Sequence, residues 1–172
     1  MSLLLETLKV KDGIIYNIKE HEERLNDARQ EYFNCLDAIS LTEVIKIPEE
    51  YKEGTFRLRI SYGKEILSLE FFPHVKRNIR SLKLIHDEHI DYTYKYADRV
   101  YLQKLFDQRE DCDEILIIKN GYVTDTSISN VCFYNGKKWI TPNTYLLRGT
   151  KRSMLLKSGA LFEDSITVKD IY

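Results

Sequence analysis

Apolar and polar positions alternate from Leu3 to Val10, pause at Lys11-Asp12-Gly13, and resume at Ile14-Ile15-Tyr16. A period of two marks a strand, and Asp-Gly between two such runs predicts a tight hairpin. The period then lengthens: Leu25, Ala28, Tyr32 and Cys35 recur at threes and fours, predicting one amphipathic helix over Glu20 to Leu36. Ser40-Leu41-Thr42-Glu43 has the form of a capping box and predicts a short helix ending near Pro48. From Thr55 to Tyr62, Phe56, Leu58 and Ile60 alternate with Arg57, Arg59 and Ser61. Gly63 turns the chain into Ile66 to Phe72, and Pro73 closes this second hairpin. His74 to Arg80 is basic, with Lys76, Arg77 and Arg80, and reads as a connector because it has no periodic apolar face.

The second half opens with a strand at Leu82 to Ile85 and a polar stretch from His86 to Tyr94. A helix is expected over Ala97 to Gln108, with Val100, Leu102, Leu105 and Phe106 inward. Ile115 to Ile118 and Tyr122-Val123 flank the turn Lys119-Asn120-Gly121, and Val131 to Tyr134 and Trp139-Ile140 flank Asn135-Gly136. Gly149 opens a last helix carrying Met154, Leu155 and Leu156. The fold class expected is α+β, two-lobed and mostly antiparallel in its sheets. The division expected is a small N-terminal α+β lobe at 1–75, a connector at 76–80 and a larger lobe at 81–172.

Composition narrows the partners. At 172 residues the chain can bury roughly 68–70% of its unfolded surface without disulfides or metals. Lys and Arg number 26 against 27 Asp and Glu, so nothing suggests a nucleic-acid binder. No apolar run is long enough to span a bilayer, and Met1 to Glu6 has no basic start or cleavage site, so a cytoplasmic protein without membrane contact is expected. Cys35, Cys112 and Cys132 lack metal-ligand spacing and read as reduced thiols, Cys35 and Cys132 as core residues. No metal site is expected.

Four segments could carry chemistry. Arg24 shares a helix face with His21 and could clamp an anion, although a solvated helix start would look the same. Lys95 is flanked by Tyr92, Tyr94 and Tyr96; a desolvated amine there could attack an aldehyde, and an ordinary surface lysine fits as well. Asp125 sits in the small, polar run Val123-Thr124-Asp125-Thr126-Ser127-Ile128-Ser129-Asn130, which suits either a site floor or a turn. Leu147-Arg148-Gly149-Thr150-Lys151-Arg152 enters a helix whose first N–H groups could hold an anion.

In this order the segments resemble the class IV aminotransferase family of fold-type IV pyridoxal phosphate (PLP) enzymes, which includes branched-chain and D-amino-acid aminotransferases and aminodeoxychorismate lyase. Leu5-Glu6-Thr7 resembles the family's Phe-Glu-Thr strand, and His21-Glu22-Glu23-Arg24-Leu25 its His-x-x-Arg-Leu helix. Lys95-Tyr96-Ala97-Asp98-Arg99 resembles Lys-x-x-Asn-Arg, and Gly121 to Asn130 resembles Gly-x-Val-Thr-Glu-Gly-x-x-x-Asn. Ile140-Thr141-Pro142 and Leu147 to Arg152 resemble the Thr-Pro strand end and the Leu-Pro-Gly-x-Thr-Arg loop.

The resemblance implies a D-amino-acid-aminotransferase-like fold and a homodimer. It implies Lys95 as the catalytic, PLP-bonding lysine, Arg24, Thr150 and Lys151 on the phosphate, and Asp125 at the pyridine nitrogen. Arg57 falls where some relatives face the substrate carboxylate, and alternation puts Arg59 on the same side. The activity implied is PLP-dependent transamination of a small amino acid and a 2-oxo acid. The alternatives are an aminodeoxychorismate lyase releasing pyruvate and 4-aminobenzoate, or a non-catalytic relative. Asp125 stands where the family has glutamate, Asp98 where it has asparagine and Thr126 where it has glycine. The chain is similar to a short subgroup, shortened at both ends: no Gly-Asp-Gly precedes Leu5, and Tyr172 comes before the family's C-terminal strand.

Overall fold

Two turns set the strand pairing at opposite ends of the chain. Asp12 and Gly13 both adopt positive φ (48° and 74°), as do Asn120 and Gly121 (52° and 78°). This left-handed pair matches the twist of flanking strands, so each makes a two-residue hairpin. The computed structural model of the protein describes residues 2–172. The chain divides into two units: one takes residues up to Lys76 together with Tyr94–Ala97, the other takes Arg77–Thr93 and Asp98–Tyr172.

In the first unit, strands β1 (Leu4–Lys11), β2 (Ile14–Ile15), β3 (Thr55–Tyr62) and β4 (Ile66–Pro73) form an antiparallel sheet in the order β2-β1-β3-β4. Helix α1 (Ile18–Phe33) buries His21, Leu25, Ala28, Arg29 and Phe33, a stripe set by the helical period. The core gathers Leu4, Leu8 and Val10 of β1, Leu58, Ile60 and Tyr62 of β3, and Leu25, Ala28 and Phe33 of α1. Each such leucine contributes roughly 1.5–3 kcal/mol by leaving water.

Helix α1 starts and stops earlier than its periodicity predicts, because Asn34 turns left-handed (φ 57°) and ends it. Arg29, fully buried, secures that end by donating to Lys64 O, Asp37 O and the Asp37 carboxylate. The second helix, α2 (Leu41–Val44), lacks the expected cap by Ser40. Its first N–H, that of Leu41, is taken by Glu22 of α1 at 2.7 Å, a tertiary bond that local sequence does not encode.

In the second unit, β5 (Leu82–His86), β6 (Glu114–Lys119) and β7 (Tyr122–Thr126) form one mixed sheet, with β5 parallel and β7 antiparallel to β6. Central β6 buries Ile115 to Ile118 completely or nearly so, as an unbroken apolar run requires. Strands β8 (Phe133–Tyr134), β9 (Trp139–Pro142) and β10 (Phe162–Asp164) form a third sheet. Asn135 and Gly136 belong to a four-residue loop there rather than a tight turn, since Tyr134 pairs with Trp139.

Helix α3 (Val100–Phe106) is shorter than expected, and Val100 lies exposed. Asp98 starts it by accepting the Val100 N–H at 2.9 Å. Helix α4 spans Thr150–Lys157. Cys132 is exposed and so is not a core thiol, whereas Cys35 is half-buried and packs against the core of the first unit. The architecture is α+β, and no described helix is long and apolar enough to cross a membrane.

Candidate active site

Alternation along β1 places Glu6 among Leu4, Leu8 and Val10, on the face that α1 covers. Its carboxylate is fully buried. Oε1 accepts from Arg24 Nε at 2.8 Å, and Oε2 accepts from Arg24 Nη2 and His21 Nδ1, each at 2.5 Å. Burial alone would raise the Glu6 pKa. The Arg24 charge, with hydrogen bonds from His21 and Arg24, outweighs it and holds the carboxyl below its ordinary 4.5.

Lys95 lies in an extended segment rather than at a helix start. Leu5 N–H donates to Lys95 O at 2.8 Å, Ala97 N–H to Leu3 O at 2.8 Å, and Tyr96 bridges Leu4. The segment thus lengthens the sheet at the edge of β1 that β2 does not reach. Tyr94 and Tyr96 pack on Tyr32, with ring centroids 5.1 and 6.0 Å away. Lys95 itself is half-buried, and its pairing with Leu5 gives it the sheet face opposite Glu6. Arg57 and Arg59 share the Leu5 face through their register with Lys9 and Thr7. Arg57 is exposed, its guanidinium 5.1 Å from the Phe72 ring centroid. Arg59 is half-buried, and its Nε is buried without a partner.

In the second unit, Thr126 folds the chain back on itself: its hydroxyl accepts the Ile128 and Ser129 N–H groups at 3.2 and 3.0 Å. Asn130 is thereby brought opposite Asp125. The Asp125 carboxylate, only 5% exposed, accepts Asn130 Nδ2 at 2.7 Å on Oδ1 and the Leu146 and Leu147 N–H groups at 3.0 Å on Oδ2. Burial pushes its pKa above the ordinary 3.8, and these hydrogen bonds with the Arg152 charge offset only part of that rise. Arg99 donates to Ser127 O at 2.6 Å and so braces the same turn. Tyr122 and Thr124, at alternate positions of β7, line a cavity of about 430 Å³ with Tyr92, Lys119 and Tyr145.

Asn130 also donates to Leu147 O at 2.9 Å, just before Gly149. A Cβ at Gly149 would stand 1.8 Å from Asn130 Oδ1, so only glycine admits this approach. Gly149 caps α4 with extended backbone, and Thr150 and Lys151 form the first turn. Arg152 turns inward, donating to Pro142 O and Glu163 and lying 4.1 Å from the Tyr145 ring centroid. Among the described residues no cluster of His, Cys, Asp or Glu could hold a metal.

Arg24 and Lys95 are therefore tied to consecutive residues of β1, while Asp125, Thr150 and Lys151 are joined through Asn130 and Gly149. Glu6 and Asn130 stand out in the sequence only as parts of motifs. An acid at an apolar position of a strand was the available signal for Glu6, and the Asp-x₄-Asn spacing for Asn130.

This chain belongs to the amino-transferase class IV family, which it matches over residues 3–172. It is 39% identical over 170 residues to an uncharacterized protein of Haemophilus influenzae, spanning 98% of this chain and 90% of that one. Among solved structures it is similar to a "putative 4-amino-4-deoxychorismate lyase" from Haemophilus somnus 129PT. The TM-score is 0.90 and the identity 33%, over 99% of this chain and 91% of that one. A hypothetical aminotransferase from Mycobacterium tuberculosis, solved in a PLP-bound form, shares the fold at 16% identity and a TM-score of 0.76; this chain covers 74% of its length.

Proposed function

We propose that the chain is a PLP-dependent enzyme that acts at the amino-bearing carbon of a small-molecule substrate. The observation that carries this reading is Asp125: a buried carboxylate, anchored by three N–H donors and held close to the start of a helix. The residues present fit PLP. A buried acid suits a protonated pyridine nitrogen, the first N–H groups of a helix suit a phosphate, and Lys95 offers a half-buried amine.

Bound PLP supplies an aldehyde and a ring that accepts electrons from the substrate α-carbon. Lys95 would hold the aldehyde through its Nζ, and the same amine would carry the proton to and from that carbon. Arg24 in the first unit, and the Thr150 and Lys151 N–H groups in the second, are the groups that would suit phosphate oxygens. Asp125 would hold the pyridine N–H, and Asn130 keeps Asp125 in place. Arg57, or Arg59 beside it, pairs with the substrate carboxylate, a role supported by the sheet face they share with Lys95.

With a 2-oxo acid as acceptor this machinery performs transamination. The lyase reading, release of pyruvate and 4-aminobenzoate from aminodeoxychorismate, is favoured by the similarity to the Haemophilus somnus protein over nearly its whole length. The working form proposed is a homodimer.

The test is to add PLP, reduce with borohydride and map the adduct. A label on Lys95, absent in Lys95→Ala, supports the reading; a label elsewhere, or none, refutes it. Amino-acid and aminodeoxychorismate panels, read by 2-oxo acid formation, then separate the two reactions. Sedimentation giving only a monomer at micromolar concentration would remove the dimer.

A further inference from the structure

Glu6 occupies a core position that an apolar residue would fill more cheaply. It lies between Leu4 and Leu8 on the covered face of β1 and is 0% exposed. Removing a carboxylate and a guanidinium from water is costly, and a buried ion pair is weak evidence of stabilisation. The placement therefore calls for another explanation, and the geometry supplies one.

Arg24 meets Glu6 side-on, through Nε at 2.8 Å and Nη2 at 2.5 Å. A guanidinium is planar and rigid, so two contacts along one edge fix the direction of the other edge, which carries Nη1 and the second N–H of Nη2. His21, one turn earlier on α1, donates Nδ1 to Oε2 at 2.5 Å and stops the carboxylate from swinging. The Arg24 side chain is 12% exposed, which leaves it little room to adopt another rotamer. The same stretch of β1 receives the Lys95 peptide through Leu5 N–H. One residue thus ties down the backbone of the amine-bearing segment, and the next ties down the guanidinium.

We infer that Glu6, steadied by His21, is the positioning residue of Arg24, aiming its outer edge at the phosphate of PLP. The inference deepens the cofactor reading above and rests on it. Glu6 touches neither cofactor nor substrate; it acts by denying Arg24 other orientations. A purely structural role would weaken every ligand of the site alike, whereas a positioning role acts through phosphate alone.

The experiment compares PLP with pyridoxal, which has the same aldehyde and ring but no phosphate. Dissociation constants are read from absorbance for the wild type, Glu6→Gln, Glu6→Asp, His21→Asn, Arg24→Gln and the Glu6→Gln/Arg24→Gln pair. Glu6→Gln is expected to weaken PLP by roughly tenfold or more, the usual scale for losing an orienting partner, with pyridoxal nearly unchanged. The double variant is expected to bind PLP no more weakly than Arg24→Gln alone. Glu6→Asp and His21→Asn, which keep the Glu6-site charge, are expected to lose less and serve if Glu6→Gln does not fold. Equal weakening of PLP and pyridoxal, or additive losses in the double variant, overturns the role given to Glu6 and leaves the cofactor reading standing. A wild-type protein that forms no borohydride-reducible adduct on Lys95 with either aldehyde overturns both.

Discussion

Gly149→Ala is the sharpest test of the Asp125 scaffold. The backbone there (φ −71°, ψ 137°) suits alanine, so the substitution carries no conformational penalty of its own. The whole cost comes from one contact. The new Cβ would lie 1.8 Å from Asn130 Oδ1, and ordinary contacts stop at about 3.0 Å, so the amide must retreat by about 1.2 Å. That movement breaks the Asn130 bonds to Asp125 (2.7 Å) and Leu147 O (2.9 Å). A partner lost from a part-buried polar group costs about 1–3 kcal/mol, so two give roughly 2–6 kcal/mol.

Urea unfolding of a two-by-two set isolates this contact. Asn130→Ala alone loses the same bonds. In that background Gly149→Ala has nothing to strike and is expected to be neutral or to stabilise by about 0.4–1 kcal/mol, through a less flexible unfolded chain. The coupling energy between the two positions is thus expected to exceed about 2 kcal/mol. If Gly149→Ala costs less than about 0.5 kcal/mol in the wild type, or costs the same with and without Asn130, the close approach is not what fixes this loop.

Acid stability should report Glu6. Its folded pKa is lowered, so its contribution is complete above 4.5 and is lost as pH falls through the folded value; Glu6→Gln should flatten the acid limb of a melting-temperature profile. Asp125 acts with the opposite sign. Its folded pKa is raised, so stability declines as pH climbs from 3.8 towards the folded value, and a base titration that spares the fold in this range would count against its burial. Arg29→Met should cost roughly 3 kcal/mol in urea unfolding, because it strips the carbonyls of Asp37 and Lys64 of their buried donor as well as removing the ion pair to Asp37. Asp37→Asn, at the exposed end of the same pair, should cost far less.

The hairpins and the long strands were legible because their signals are local. Asp12-Gly13 and Asn120-Gly121 need only their own backbone to turn, and the Ile115 to Ile118 run is apolar on both faces because both are covered. The errors arose where a distant partner decided the outcome. Ser40 does not cap α2, because Glu22 arrives from α1 to take the Leu41 N–H. Lys95 does not precede a helix directly, because Leu3 and Leu5 capture its neighbours as a strand first. In the candidate site, residue types at motif spacing could be read from sequence, whereas the side chains that hold them could not. Asn130 meets Asp125 only after the Thr126 hydroxyl closes the turn, and Glu6 meets Arg24 only when β1 and α1 pack together.

The segment Tyr94–Ala97 makes the first unit discontinuous along the chain. During synthesis, β1 emerges early with one edge open, and the four residues that complete it arrive only after β4 and β5 have been made. A fragment ending at Lys76 would expose the backbone of Leu3 and Leu5 and the aromatic surface of Tyr32, an open strand edge prone to pairing with other chains. The lysine proposed for the chemistry is also the plug for that edge. A chain stalled before residue 94 would thus be both inert and aggregation-prone, and a synthetic peptide spanning 94–97 should suppress the aggregation of such a fragment.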